Sequence, residues 1–297
     1  MAIEIEELYK RYGKKMALDG ISLSVEEGLF GLLGQNGAGK TTLLRILATL
    51  IPKSYGNVSI NGIPISDVKR IRSIIGYLPQ EFSFYPGMTV LDTMYYFGAL
   101  SDKGNGYKKT VPELLEMVNL ADKADAKVNK LSGGMKRRLG MAVTMISDPM
   151  VYLIDEPTAG LDPEERVRFR RLICDLAEKK TVILSTHIIE DIEDTCERMA
   201  ILHTGNICYD GTVDDALASM DGKVWEMVVD RSFDESEISR AGGIITARTK
   251  SKDNYCLRIL SETKPDESAH NISPRLEDSF VWKCKNFEMQ ELEEETE

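Results

Sequence analysis

Hydrophobic and polar positions follow different rhythms along this chain. Near the start they alternate: Ile3 and Ile5 stand between acids, and Ile21-Ser22-Leu23-Ser24-Val25 repeats the pattern. Period-two alternation predicts half-exposed strands. Glu26-Glu27-Gly28 is a turn into Leu29-Phe30-Gly31-Leu32-Leu33, whose apolar run predicts a buried strand. Residues 41–50 are expected to be helical, ended by Pro52, with strands at 57–60 and 74–78. Strand signals then fade over 89–148 and helical spacing takes over. Leu91, Met94, Tyr95 and Gly98 fall on one face, as do Leu114, Leu115, Val118 and Leu120. A helix over 133–147 would bury Leu139, Ala142, Val143 and Ile146. Strands return at 151–154, 181–185 and 199–202. Between the first two lies a helix with Asp162 as N-cap, Pro163 at its first position, and Val167, Leu172, Ile173 and Leu176 on its buried face.

The series predicts an α/β core with a mainly parallel sheet in residues 1–220, interrupted by a helical insert at about 89–148. Composition shifts after Met220. Short strands at 224–229, 243–247 and 255–260 around a weak helix predict a small accessory α/β domain in 221–297, running to about Phe287 and carrying both tryptophans, Trp225 and Trp282. The acidic end (Glu288, Glu291, Glu293, Glu294, Glu295, Glu297) is expected to be disordered solvated charge, with a docking segment as the alternative.

Composition narrows the function classes. A length of 297 residues suits one large or two modest domains. The five cysteines (Cys174, Cys196, Cys208, Cys256, Cys284) form no close pairs, which suits a reducing compartment and not a zinc site. The alternating acidic start is unlike a signal peptide, and no apolar run approaches the ~20 residues of a membrane span. The net charge of −11 argues against non-specific nucleic-acid binding over the whole surface.

The chemistry enters at Gly34-Gln35-Asn36-Gly37-Ala38-Gly39-Lys40-Thr41, which fits Gly-x-x-x-x-Gly-Lys-Ser/Thr. Glycines let backbone N–H groups turn around an anion in conformations that a Cβ obstructs. Lys40 is expected to bring a cation to the β- and γ-phosphates, and the Thr41 hydroxyl can ligate Mg²⁺. The loop joins a buried strand to a helix whose N-terminus favours anions. A RecA-like P-loop NTPase core is therefore expected. The strand at 151–154 ends in Asp155-Glu156, where open α/β sheets bind ligands. Asp155 is expected to hold Mg²⁺ through water, and Glu156 to orient or deprotonate an attacking water. A solvated acidic pair is the alternative.

Leu131-Ser132-Gly133-Gly134-Met135 opens the helix at 133, with Ser132 as N-cap, and is a second candidate anion site. Lys136, Arg137 and Arg138 follow at once and oppose the helix dipole. An anionic ligand or acidic partner surface would offset them; a solvated basic face is the alternative.

Together these motifs resemble the ATP-binding subunit of an ATP-binding cassette (ABC) transporter, over roughly residues 1–220. Leu-Ser-Gly-Gly is that family's signature. The resemblance implies that Tyr12 stacks on adenine, with Tyr9 in reserve, and that Gly34, Asn36, Gly37, Ala38, Gly39, Lys40, Thr41 and Thr42 hold the phosphates. It implies that Gln80 touches Mg²⁺ and reports to a membrane subunit, that Asp162 links two active sites, and that His187 contacts the γ-phosphate. Ser132, Gly133 and Gly134 would serve the γ-phosphate of a second ATP-binding subunit. Phe82-Ser83-Phe84-Tyr85-Pro86-Gly87-Met88 is similar to the family's groove for an integral-membrane permease subunit, though these aromatics could instead pack the insert. Met135 departs from the commoner glutamine. Leu131-Ser132-Gly133-Gly134-Met135-Lys136-Arg137-Arg138 and Pro274-Arg275-Leu276-Glu277-Asp278-Ser279-Phe280 are similar to the branch that exports drugs, bacteriocins and lipids. The implied activity is hydrolysis of ATP with Mg²⁺, at the cytoplasmic face of the cell membrane and without nucleic acid. A soluble family member acting on ribosomes or another complex is the alternative.

Overall fold

The computed structural model describes residues 2–101, 106–251 and 254–294; Glu295 and Glu297 of the acidic end lie outside them. The chain opens with β1 (Ile3–Tyr12), β2 (Lys15–Val25), β3 (Gly28–Leu33) and helix α1 (Lys40–Leu47). β4 (Tyr55–Ile60), β5 (Ile63–Pro64), α2 (Val68–Ile74) and β6 (Ile75–Leu78) follow. Then come α3 (Val90–Leu100), α4 (Tyr107–Met117) and α5 (Gly133–Met145). The α/β pattern resumes with β7 (Val151–Asp155), α6 (Pro163–Ala177), β8 (Thr181–Thr186), α7 (Ile189–Glu193), β9 (Arg198–His203) and β10 (Asn206–Thr212). The last elements are α8 (Val213–Ala218), β11 (Val224–Asp230), α9 (Ser236–Arg240), β12 (Ile244–Ser251), β13 (Asn254–Leu260), β14 (His270–Asn271) and α10 (Leu276–Glu294).

These elements separate into two compact units, 1–210 and 211–297. In the first, six strands lie in the order β10-β9-β3-β8-β7-β6. From β6 through β9 the pairings are parallel, and β7 and β8 are buried along their whole lengths. Strands covered on both faces need continuous apolar runs, which is why these segments were so legible. A second sheet, β2-β1-β4-β5, is antiparallel, with Ile3 opposite both Val25 and Ile60. Its inward residues and α1 share one core, including Ile3, Leu8, Leu23, Leu43 and Leu47.

Register decides where the chemistry goes. Leu33 pairs with Thr186, Asp155 with Ser185, and Leu78 with Ile154. The C-terminal ends of β3, β6, β7 and β8 therefore finish at one edge of the sheet. The segments that leave them begin at Gly34, Pro79, Glu156 and His187. This is the edge at which open parallel sheets gather ligands.

Several sequence expectations need correction. α1 stops at Leu47, three residues short of the expected end, and the inward face of α3 is Val90, Thr93, Met94 and Gly98, with Leu91 and Tyr95 only partly buried. Val167 is 42% exposed; the buried face of α6 is Phe169, Leu172, Ile173 and Leu176. That set keeps the i, i+3, i+4, i+7 spacing, and Val167 lies off it. The insert keeps its own caps. Asp92 N–H donates to Thr89 Oγ1 (3.0 Å), and Thr89 N–H donates to Asp92 Oδ2 (3.4 Å), a reciprocal capping box. Thr89→Ala is expected to cost about 1 kcal/mol, read as a lower urea midpoint with ATP affinity retained.

The second unit is a four-stranded sheet, β12-β13-β11-β14, antiparallel throughout, with α8, α9 and α10. The acidic end is not free chain as far as Glu294: it continues α10. Leu276, Phe280 and Cys284, spaced four apart, are buried and hold that helix down. Arg258 of β13 grips Asp278 through Nε–Oδ1 (2.8 Å) and Nη2–Oδ2 (2.5 Å), so the carboxylate, 1% exposed, is fully paired. No helix among the described residues is long and apolar enough to cross a membrane.

Candidate functional site

A cleft of about 620 Å³ opens at the strand-end edge of the first unit. It is lined by Tyr12, Lys15, Met16 and Ala17 on one side, and by Gln35, Asn36, Gly37, Gly39, Lys40, Thr41 and Thr42 at its base. Gln80, Glu156, Thr204 and Gly205 complete it. Tyr12 is 47% exposed, with Lys10 Nζ 4.9 Å from its ring centre. Its open face suits stacking of a planar base. Tyr9 is not a lining residue and packs on Tyr55 at 6.1 Å.

The loop from Gly34 to Gly39 is shaped by close backbone approaches. A Cβ on Gly34 would collide with the Leu202 carbonyl. Gly39 has φ +115° and would place a Cβ 2.7 Å from the Ala17 carbonyl. Ala38 and Gly34 are buried structural members of the loop and not lining residues. α1 starts immediately after with no side-chain cap, which leaves its first N–H groups available to an anion.

Lys40 is only 4% exposed, and its ammonium donates to Gly34 O (2.6 Å) and Gln35 O (3.2 Å). Its third partner is Glu156 Oε1 at 3.1 Å. Glu156 is 2% exposed and its other oxygen, Oε2, lies 2.5 Å from His187 Nδ1. The His187 N–H also points to Oε2, at 3.4 Å. Glu156 adopts φ +49°, a rare conformation for a non-glycine residue and one that clusters at functional sites. One carboxylate thus bridges the phosphate-loop cation and the histidine past β8.

Asp155 lies directly behind. It is fully buried, and Ser185 Oγ donates to its Oδ1 at 3.0 Å. Burial pushes its carboxyl above the usual range; hydrogen bonds from Thr41 and Ser185 pull it back, Glu156 adds to the rise and Lys40 opposes it. Its second oxygen is buried without a well-formed hydrogen bond among the described residues. A buried carboxylate oxygen beside the Thr41 hydroxyl fits a cation that brings its own water and phosphate ligands. Among the described residues no cluster of three or more His, Cys, Asp or Glu could cage a metal alone. A divalent ion here would depend on the phosphates it accompanies.

The other motif lies elsewhere. Ser132, Gly133, Gly134 and Asp162 are not among the residues lining the cleft of their own chain. Ser132 caps α5 by accepting from Met135 N–H (3.2 Å), and Asp162 caps α6 by accepting from Glu165 N–H (2.9 Å). Ser132 and Gly133 are exposed. In the cationic run behind them, Arg137 and Arg138 are not a solvated face. Arg138 turns inward to Val118 O and Asn119 O (both 2.8 Å) and to Glu165 (Nε–Oε2 3.0 Å). Arg137 also turns inward, to carbonyls of the Gln80 and Glu156 segments. Long side chains on a helix's second turn can reach back past the helix start, a contact that only the neighbouring loops reveal. The sequence also gave no notice of Lys15, Met16, Ala17, Thr204 and Gly205, which reach the cleft through tertiary pairing.

Beyond Gln80 the aromatics form a chain of edge contacts. Phe82 meets Phe84 at 5.3 Å, Phe84 meets Phe97 at 5.8 Å, Phe97 meets Tyr96 at 5.3 Å, and Tyr96 meets Tyr85 at 5.6 Å. Tyr85 is 59% exposed and Tyr96 40%, so the chain ends as an apolar ridge in water.

Comparison with known proteins identifies the family. A sequence model of the ABC transporter family matches residues 18–159. The chain is 41% identical over 222 residues to the Nod factor export ATP-binding protein I of Paraburkholderia xenovorans (strain LB400), covering 73% of each protein. It is 35% identical over 224 residues to the linearmycin resistance ATP-binding protein LnrL of Bacillus subtilis (strain 168), covering 74% of this chain and 72% of that one. Among solved structures, it resembles a dimeric post-hydrolysis ATP-binding cassette, MJ0796, bound to ADP and Pi. That likeness has a TM-score of 0.64 and 28% identity, over 71% of this chain and 98% of the other. With such identity sustained across more than two thirds of full-length relatives, the chain belongs to the ABC transporter ATP-binding family.

Proposed function

We propose that this chain binds MgATP between two cassettes and hydrolyses it to drive an export permease on the cytoplasmic face of a cell membrane. The observation that supports it most is the Lys40–Glu156–His187 arrangement at the cleft, where four parallel strand ends converge.

Each residue has a task in this reading. Tyr12 stacks on the base. Backbone N–H groups of residues 36–41, with the Lys40 ammonium and the Thr42 hydroxyl, hold the phosphates. Thr41, Asp155 and Gln80 are the groups that would hold Mg²⁺, which neutralises charge on the phosphates when bound. All three Lys40 donors are engaged by Gly34, Gln35 and Glu156. An arriving phosphate competes best with Glu156 for that cation, because both are anions. Glu156 Oε1 is then released from its ion pair and becomes a proton acceptor for water, while His187 keeps Oε2 oriented. Positioned charges supply the rest of the rate.

Ser132 and Gly133 face outward on the same chain and do not reach its own cleft. That supports their completing the site of a second ATP-binding subunit, with Gly134 behind them and Asp162 beside the junction. ATP then drives closure to the extent that it binds the closed pair better than the open one. The export assignment is supported by the relatives named above.

The exposed aromatic ridge supports docking of a permease helix. Replacing Phe84 and Tyr85 together by alanine is expected to reduce permease recovery in a pull-down roughly tenfold or more, as loss of a central aromatic anchor does. ATP affinity should stay within about twofold, since neither ring lines the nucleotide cleft. Undiminished recovery of the permease would remove the ridge from the interface.

A further inference from the structure

Arg137 sits one helical turn behind the glycines of α5, yet its guanidinium ends among loops that belong to the strand-end site. Nη1 donates to Gln80 O at 2.5 Å and to Pro79 O at 3.4 Å. Nη2 donates to Glu156 O at 3.1 Å. The fork therefore ties three chain segments together: the head of α5, the segment after β6 and the segment after β7. We propose that Arg137 is a positioning residue that locks the Gln80 segment and the Glu156 peptide to α5, so that the signature glycines and the hydrolytic groups of one chain move as one body. This rests on the function proposed above and adds a route by which one nucleotide site senses the other.

Three observations support the clamp. First, the Glu156 peptide needs holding, because its residue has φ +49° and carries the carboxylate that bridges Lys40 and His187. Nη2 bonds the carbonyl of that same residue. Second, the Gln80 segment is attached to α5 twice. Phe82 lies 5.6 Å below the Arg137 guanidinium, and its ring fills the space where a Cβ on Gly140 would stand. Gly140 is one turn beyond Arg137 on the same helix, so the notch and the fork grip consecutive parts of one segment. Third, the three carbonyl acceptors, Pro79 O, Gln80 O and Glu156 O, call for a forked donor. A lysine could not substitute. Its single ammonium is a point donor, whereas the two Nη groups bond carbonyls of different segments at once.

The consequence is mechanical. When a second cassette's phosphate draws the head of α5, the pull reaches Gln80 O and Glu156 O through one side chain. Arg138, its neighbour, has a different task, joining α5 to Val118, Asn119 and Glu165 within the insert and α6.

The test uses the full chain with Arg137→Ala, Arg137→Lys and Gly140→Ala, and Lys136→Ala as a control whose side chain has no part in the clamp. Hydrogen–deuterium exchange without nucleotide reads the clamp directly. Exchange at the Glu156 amide, which donates to Ser185 O, and over residues 80–84 should rise about tenfold in Arg137→Ala, with β7 and β8 unchanged. For MgATP, kcat should fall about tenfold or more with KM within about twofold, because small misplacements near reacting atoms cost rate more than binding. Arg137→Lys should resemble Arg137→Ala. Gly140→Ala should loosen 80–84 and lower kcat although alanine is the better helix former, which separates positioning from simple loss of stability. Wild-type exchange in 80–84, or faster exchange with unchanged kcat, overturns the proposal. So does Gly140→Ala with wild-type exchange and turnover, which is the deciding result if Arg137→Ala loosens the core strands as well. A wild-type chain that hydrolyses no ATP refutes the functional reading instead, and the exchange data still decide whether the clamp exists.

Discussion

Glu156→Gln is expected to lower steady-state ATP hydrolysis by about two to three orders of magnitude, the range of a lost general base, while ATP still binds. The substitution keeps size and both side-chain heavy-atom contacts but removes the proton acceptor. It also removes the ion pair that holds Lys40 at 3.1 Å. Phosphate then meets a cation with no carboxylate competitor, so ATP affinity should stay equal or improve. The direction matters more than the size: a residue that merely shaped the cleft would weaken binding and turnover together. Phosphate release and equilibrium binding of a fluorescent ATP analogue, measured on the same preparation, separate the two. Wild-type turnover in this variant would take Glu156 out of the reaction.

Lys40→Met is expected to lower ATP affinity by about two orders of magnitude, as removal of a charge-assisted contact in a desolvated site does. It has a second cost. Lys40 and Glu156 are both almost fully buried, and removing one partner leaves a buried charge. Breaking such a pair costs about 3–5 kcal/mol, moderated here because His187 still faces Oε2. The double variant Lys40→Met/Glu156→Gln removes both charges and should recover much of the thermal midpoint lost in the single variant. It should not recover ATP binding. Stability and affinity thus move apart between the two variants. Parallel recovery of both would mean that Lys40 acts only through the fold.

Much of the site was legible because its chemistry is local. A buried strand, a glycine-rich turn and a Lys-Thr pair are consecutive, and Asp155-Glu156 is the end of an apolar run. Parallel register then brings those ends together with no further information in the loops. What was not legible depends on side chains that cross between elements. Arg137 and Arg138 looked like charge on a helix face, yet their length lets them reach carbonyls of other segments. Apolar spacing alone places Val167 inward, whereas the stripe starting at Phe169 is the one that packs. The antiparallel pairing of β1 with β4 is nonlocal, and alternation announced the strands but not their pairing. α10 was hidden by its charge. Its buried apolar residues repeat every four positions at Leu276, Phe280 and Cys284, while Glu288, Glu291, Glu293 and Glu294 lie further along the same helix.

Central to the account is that this ATPase works on a membrane partner. The most direct measurement is purification of the tagged chain from mildly solubilised membranes, with identification of what co-elutes and assay of MgATP hydrolysis in the eluate. A polytopic membrane protein in roughly equal amount is expected, with hydrolysis that Glu156→Gln lowers by about two to three orders of magnitude. Recovery of ribosomes or a soluble complex, with no membrane protein, would contradict it.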